Sequence, residues 1–355
     1  MMQDSLLSEN HVSSKSQQEN EEELDPTLIP WHAEELIFLP IEETDSPYKD
    51  HILALPQEKR WLPYNLRNYQ GFWELEGIIP HIIAFQNQFK PRYTDVFVAS
   101  FPKCGTTWLK AIAFSVIHRN KYDFVSHPLL RLNPHDCVKF LEPLFCEKGQ
   151  VYLESIPSPR VLGLHLAYSM LPDSIISSEC KMIYICRDPK DALVSLWHMS
   201  KNLQADTSFL FSEAFEIFCE GRSLAGPIWE HVLEYWNESL IRPNKILFLI
   251  YEDMVADPLE NVKRLSNFVG HPFTKEEETE GVIDKIVDIC SFNKLRRLDV
   301  NKKREGGDKF DINHTFFRKG LAGDWKNHLT MEMAERLDNI TRLKLEGSGL
   351  NLSKC

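Results

Sequence analysis

The chain has 355 residues, 43% hydrophobic and 11% aromatic, enough for a substantial core and for one large α/β domain or two small ones. Its net charge is −12, but residues 1–60 alone contribute −10, with 14 acidic against 4 basic residues, so the rest of the chain is near neutral and has no basic surplus of the kind that marks a nucleic-acid binder. No run of about 18 apolar residues marks a membrane span, and the N-terminus, MMQDSLLSENHVSSKSQQENEEELD, has neither the basic start and apolar stretch of a secretory signal nor the acid-poor composition of a transit peptide.

Residues 1–28 are polar and acidic and are predicted to form a disordered arm without a catalytic role. Residues 29–60 read as an N-terminal extension, with a turn at SPY (46–48), and residues 61–355 as continuous globular sequence. Four short apolar runs are predicted core strands: DVFVAS (95–100), RVLGLHL (160–166), KMIYICR (181–187) and KILFLIY (245–251). They are apolar on both faces, as parallel strands covered by helices are. Helical text follows or precedes them: AIAFSVI after the first, DALVSLWHMSKNL after the third, GPIWEHVLEYWNE before the fourth. The last predicted helix spans 330–346, with Met333, Leu337 and Ile340 at helical spacing, Thr330 as N-cap and Gly347 as stop. This alternation implies a single α/β domain with a central, mostly parallel sheet flanked by helices. In such sheets ligands bind beyond the C-terminal strand ends. The eight cysteines (104, 137, 146, 180, 186, 219, 290, 355) show neither CxxC pairs nor zinc spacing and read as reduced thiols of a cytoplasmic protein.

Chemistry gathers at these strand ends. In FPKCGTTWLK (101–110), Lys103, Gly105, Thr106 and Thr107 lie where a strand turns into a helix, a P-loop-like arrangement whose amides, hydroxyls and ammonium suit an anion. In CRDPKDALVSLWH (186–198), Arg187 ends a strand, Asp188 and Pro189 start a helix, and Ser195 lies two turns into it, a site for a second phosphate or merely a capped helix with an ion pair. In RKGLAGDWK (318–326), Arg318, Lys319 and Gly320 read as a phosphate clamp on a loop. His165, at the end of an apolar strand, is a general-base candidate if Lys103 lies beside it and a structural histidine otherwise.

Together these stretches resemble the plant cytosolic sulfotransferases over residues 61–352, with YQGFW (69–73) and YEDM (251–254) matching in place and order. The resemblance implies 3′-phosphoadenosine 5′-phosphosulfate (PAPS) as donor co-substrate and no metal. It implies that Lys103, Cys104, Gly105, Thr106 and Thr107 bind the 5′-phosphosulfate and that Trp108 stacks on adenine. Arg187, Ser195, Arg318, Lys319 and Gly320 would then hold the 3′-phosphate, while Tyr251, Cys290, Ser291 and Phe292 line the nucleoside pocket. Lys103 would meet the leaving oxygen and His165 would be the base. The chain departs from the family pattern at Cys104, usually serine or threonine; at Gly163, lysine in many animal members; and at Leu164-His165-Leu166-Ala167-Tyr168, where plant members often read THxPY.

The resemblance further implies a small hydroxyl acceptor of the flavonoid, steroid, hydroxyjasmonate or desulfoglucosinolate class. Phe72, Trp73 and Tyr168 are either its apolar pocket or core. Residues 326–335, KNHLTMEMAE, resemble the family's KxxxTVxxxE dimer motif with Met331 for valine, so the protein is expected to be a monomer or a homodimer, with no nucleic-acid or membrane partner. Two other readings stay open: a sulfotransferase-like protein that binds a nucleotide without turnover, and a Mg²⁺-dependent phosphotransferase, against which the missing GxxxxGK[ST] loop counts.

Overall fold

The four apolar runs pair as one parallel sheet. The computed structural model describes Leu28 and residues 45–61, 65–203, 208–302 and 313–352; the arm expected at 1–28 otherwise lies outside the described residues. Strands β1 (Gln57–Glu58), β2 (Leu66–Tyr69) and β3 (Phe72–Leu75) form a small antiparallel sheet. The parallel sheet has the order β5-β4-β6-β7, from β4 (Val96–Ser100), β5 (Val161–Leu164), β6 (Lys181–Cys186) and β7 (Ile246–Ile250). Helices α1 (Ile79–Gln88), α2 (Thr106–His118), α3 (Pro189–Leu203), α4 (Ile228–Ile241) and α5 (Met331–Lys344) flank the site, as does a helix over Leu141–Ser155 that is broken at Gly149.

Period-two alternation divides each strand between two cores. Phe97, Ala99, Leu162, Leu164, Tyr184 and Phe248 face the core made with α1, α3, α4 and α5. Val96, Val98, Val161, Ile183, Leu247 and Leu249 face the core made with α2. Both faces are therefore covered, which explains the uninterrupted apolar text of these strands. Each fully buried aliphatic or aromatic side chain contributes about 1.5–3 kcal/mol. Away from the site, the fully buried Arg160 guanidinium donates to both Asp95 oxygens (2.7 and 2.5 Å), tying together the starts of β4 and β5.

The antiparallel sheet had no apolar run to announce it. YQGFW proves to be its hairpin turn: Gln70 and Gly71 both have positive φ (52° and 92°), as a two-residue turn between twisted strands requires. The backbone of Trp73 then exchanges hydrogen bonds with residues 225–226 (2.7 and 2.9 Å). The segment before Trp61 is built into the fold, because β1 pairs with β2 and Ile52 packs on Ile79 and Ile83. The last helix agrees with its sequence signals: Thr330 caps α5 by accepting from the Met333 amide (3.2 Å), Leu337 is buried, and Gly347 lies beyond the end with φ +77°. Among the described residues no helix is long and apolar enough to cross a membrane, and no group of three or more His, Cys, Asp or Glu could hold a metal ion.

Candidate active site

The register sets the site. Ala99 is level with Leu164, Ser100 with Ile185, and Cys186 with Ile250, so the sheet ends on an even edge. The next residues are the FPKCGTT turn, His165, Arg187 and Tyr251. Beyond this edge lies a cavity of about 490 Å³. Lys103, Gly105, Thr106, Thr107, Trp108, His165, Arg187, Ser195, Tyr251, Cys290, Ser291, Phe292, Arg318, Lys319 and Gly320 all line it. Cys104 does not: its thiol is buried in the core, burial pushes it far above the usual thiol range, and its amide donates to the Phe101 carbonyl (3.3 Å).

The turn before α2 is unusual in having two left-handed residues, Lys103 (φ +68°) and Gly105 (φ +109°). A lysine in that region is strained, and such strain concentrates at functional turns. The Ser100 and Thr106 hydroxyls are 2.5 Å apart, holding the first helical residue against the strand end. The Lys103 ammonium touches the Thr315 carbonyl (3.4 Å) and has no carboxylate partner among the described residues. Burial, then the nearby Arg318 and Arg187, pull it down to about 8. Converging cations of this kind suit an anion.

Two glycines join the sequence stretches to one another. A Cβ on Gly105 would lie 2.7 Å from the Tyr251 ring, and one on Gly320 would lie 2.4 Å from the Phe292 ring. Gly105→Ala, strained by φ as well as by the ring, is expected to cost about 1–3 kcal/mol of stability and to weaken nucleotide binding. A lowered melting temperature in thermal scans checks this; an unchanged one would show that the turn relaxes freely.

The arginines come from opposite ends of the chain. Arg187 lies over the Tyr251 ring (4.5 Å) and donates to Asp191 (3.2 Å) and the Leu321 carbonyl (2.5 Å). Asp191 also accepts from the amides of Gly323 (2.7 Å) and Trp325 (2.9 Å), which fastens the RKGLAGDWK loop to the first turn of α3. Asp324 accepts from Arg318 (2.5 Å), Lys319 (2.7 Å) and Asn327 (2.9 Å). Burial raises the Asp324 carboxyl, but these bonds outweigh it and hold it well below the carboxylate range. The buried Nε–H groups of Arg187 and Arg318 have no partner among the described residues. Buried donors are rarely left so, and with Ser195 on α3 they fit a phosphate.

His165 is oriented by backbone. Its Nδ1–H donates to the Ser100 carbonyl (2.7 Å), so the lone pair is on Nε2. Its amide donates to Glu142 (3.2 Å), its carbonyl accepts from His231 (2.9 Å), and Phe140 packs on its ring at 4.5 Å. Burial above all, then Lys110, His231 and Lys103, pushes the imidazole down to about 3; the Ser100 bond only partly opposes this. The ring is therefore neutral near pH 7. Buried Glu142 is raised to about 7, and Glu74 is pushed well above its usual range by burial and by Glu142.

Residues 93–349 match the Sulfotransferase domain family. Cytosolic sulfotransferase 5 of Arabidopsis thaliana is 43% identical over 320 residues, covering 88% of this chain and 98% of its own. The chain belongs to the plant cytosolic sulfotransferases. The crystal structure of an Arabidopsis thaliana sulphotransferase, 35% identical, superposes with a TM-score of 0.70 over 92% of this chain and all of that one. A mouse sulfotransferase, SULT7A1, complexed with PAP, is 26% identical and superposes with a TM-score of 0.61 over 80% of this chain and 96% of its own.

In this sulfotransferase the aromatics offered by sequence as pocket or core fall to the core: Phe72, Trp73 and Tyr168 are buried in the main cluster and do not line the cavity. Its apolar half is instead lined by Leu75, Ile78, Phe140, Pro143, Leu166 and Leu224, with Glu74 and Glu142 among them. Sequence reasoning missed Phe140, Glu142 and His135. The available signal was NPHD (133–136), a helix start whose Asn133 side chain accepts from the His135 amide (2.8 Å) and delivers the imidazole to the cavity.

Proposed function

We propose that the protein transfers the sulfuryl group of PAPS directly to a hydroxyl of a small aromatic or apolar acceptor in the cytoplasm. The observation that supports this reading is that Lys103 and His165 line one cavity together with the arginines and a set of apolar side chains. The PAP complex of the mouse relative and the cytosolic name of the Arabidopsis relative support it. The unpartnered Nε–H groups of Arg187 and Arg318 fit the 3′-phosphate, and the α2 amides with Thr106 and Thr107 fit the 5′ end.

PAPS supplies an activated sulfuryl group. His165 Nε2 takes the acceptor's hydroxyl proton as the acceptor oxygen bonds to sulfur, and the bond from sulfur to the bridging oxygen breaks. The electron pair stays on the 5′-phosphate, where Lys103 meets the developing charge. By analogy with phosphoryl transfer the displacement is in line, and the protein's work is positioning and electrostatics. The apolar walls favour an uncharged acceptor over an anionic one.

Calorimetry with adenosine 3′,5′-bisphosphate, paired with labelled-sulfate transfer to a panel of phenols and steroids, tests the reading. Saturable binding and transfer are expected. Absence of binding by the folded protein would overturn the donor assignment, and binding without transfer to any acceptor would leave a nucleotide-binding protein.

A further inference from the structure

Behind the 5′ end of the site lies a buried lysine to which neither the sequence reading nor the proposed reaction gives a role. Lys110 projects from α2 on the same face as Thr107, one turn earlier. It is fully buried, its Nζ lies 3.2 Å from the centre of the Phe140 ring, and Glu142 favours its charge against burial, which lowers it. The space it fills exists because residue 163 is glycine: a Cβ there would lie 2.4 Å from Lys110 Cε and 2.6 Å from Nζ. The Lys110 ammonium touches His135 Nδ1 (3.1 Å), and His135 Nε2 touches the Thr107 hydroxyl (2.9 Å). Among the described residues that hydroxyl has no other hydrogen-bond partner.

Donor and acceptor counting gives this chain a direction. Held charged by Glu142 and Asp136 against burial, Lys110 only donates. His135 Nδ1 must then accept, so the ring carries its proton on Nε2 and donates it to Thr107. The Thr107 oxygen is thereby satisfied as an acceptor, and its own proton is left to point into the cavity. The opposite tautomer would consume that proton and turn oxygen lone pairs towards the ligand. We propose that Lys110, acting through His135, is a positioning residue that fixes Thr107 as a hydrogen-bond donor to the phosphosulfate, and that Gly163 is required to seat it. This rests on the reading of the 103–107 turn as the seat of that anion. It also gives Gly163 a physical meaning, since the lysine absent from the strand is replaced in space by one from the helix.

The test is the tautomer itself, read by long-range ¹H–¹⁵N spectra of histidine-labelled full-length protein, with the His135 signals assigned by their loss in His135→Gln. The expected pattern is a pyrrole-type Nε2 and a pyridine-type Nδ1, with and without adenosine 3′,5′-bisphosphate. In Lys110→Met the tautomers should mix or invert, and kcat with PAPS should fall about 10- to 100-fold, the loss of one charge-assisted hydrogen bond. Gly163→Ala, whose Cβ displaces the ammonium, should shift the spectrum the same way, and it keeps the test available if Lys110→Met does not fold. A protonated Nδ1 in the unaltered protein, or a spectrum and kcat unmoved in Lys110→Met, overturns the proposal. Because the spectrum needs no turnover, failure of sulfuryl transfer and failure of the relay are separate outcomes.

Discussion

His165→Ala is expected to lose turnover by about 10²–10⁴-fold, the range for removing a general base, while still binding adenosine 3′,5′-bisphosphate. The argument rests on the tautomer. The Ser100 carbonyl can only accept, so Nδ1 keeps the ring proton and Nε2 is free to take another. Burial, chiefly, holds the imidazole at about 3, so the base form is complete from pH 5 to 8. The kcat/KM profile, which reports the free enzyme, should therefore lack an acidic limb near 6.5, where an unperturbed histidine would give one. The contacts that hold the segment are mostly backbone, from the His165 amide to Glu142 and from His231 to the His165 carbonyl, so the variant should keep its fold. Steady-state rates together with product calorimetry check this. Full activity in the variant would remove His165 from the reaction.

The sheet was legible because its four strands are buried on both faces and so carry nearly continuous apolar runs, bounded within a residue or two of β4, β5, β6 and β7. The cation side of the site was legible because its groups lie immediately after those strands or on one glycine-marked loop. The rest of the site was hidden for a physical reason. Phe140, Glu142 and His135 come from the connection between α2 and β5, Glu142 from the first turn of a helix over Leu141–Ser155 that is broken at Gly149. They reach the cavity because the Gly163 amide donates to the Lys139 carbonyl (2.7 Å), laying that connection along the edge of β5. Nothing at residue 139 or 163 alone announces this pairing. Likewise, with glycine at 163 where many animal members have lysine, the resemblance left Lys103 as the main cation near the leaving group. In the folded chain the Lys110 ammonium occupies the space over Gly163, a contact between residues 53 positions apart.

Aromatic text misleads for the opposite reason. Phe72 and Trp73 stand in a strand whose four residues are all buried, and the hairpin at Gln70-Gly71 commits them to the interior. Burial alone does not tell wall from core, since Glu74 and Leu75 of the same strand are as buried yet line the cavity, and composition does not tell them apart either.

Lys103→Ala should reduce kcat by about 10²–10³-fold, as loss of one charge-stabilising donor at a reacting oxygen does. Its pH dependence identifies the cause. Burial, Arg318 and Arg187 lower the ammonium to about 8 in the ligand-free protein, and a bound anion must raise it again. A group that is more basic in the bound state lends its full affinity below its free pKa and loses it as pH rises through that value. Binding of adenosine 3′,5′-bisphosphate should accordingly be level below about pH 8 and weaken above it, approaching tenfold per pH unit until the bound-state pKa is reached. Lys103→Arg should abolish that slope, because a guanidinium stays charged past about pH 12, yet should not restore kcat fully, because the planar fork cannot reproduce a point charge held at φ +68° beside the Phe316 ring. Calorimetry from pH 6 to 10 on the three proteins separates these outcomes. A flat profile in the unaltered protein, or an unchanged kcat in Lys103→Ala, would show that the leaving oxygen is met by another group.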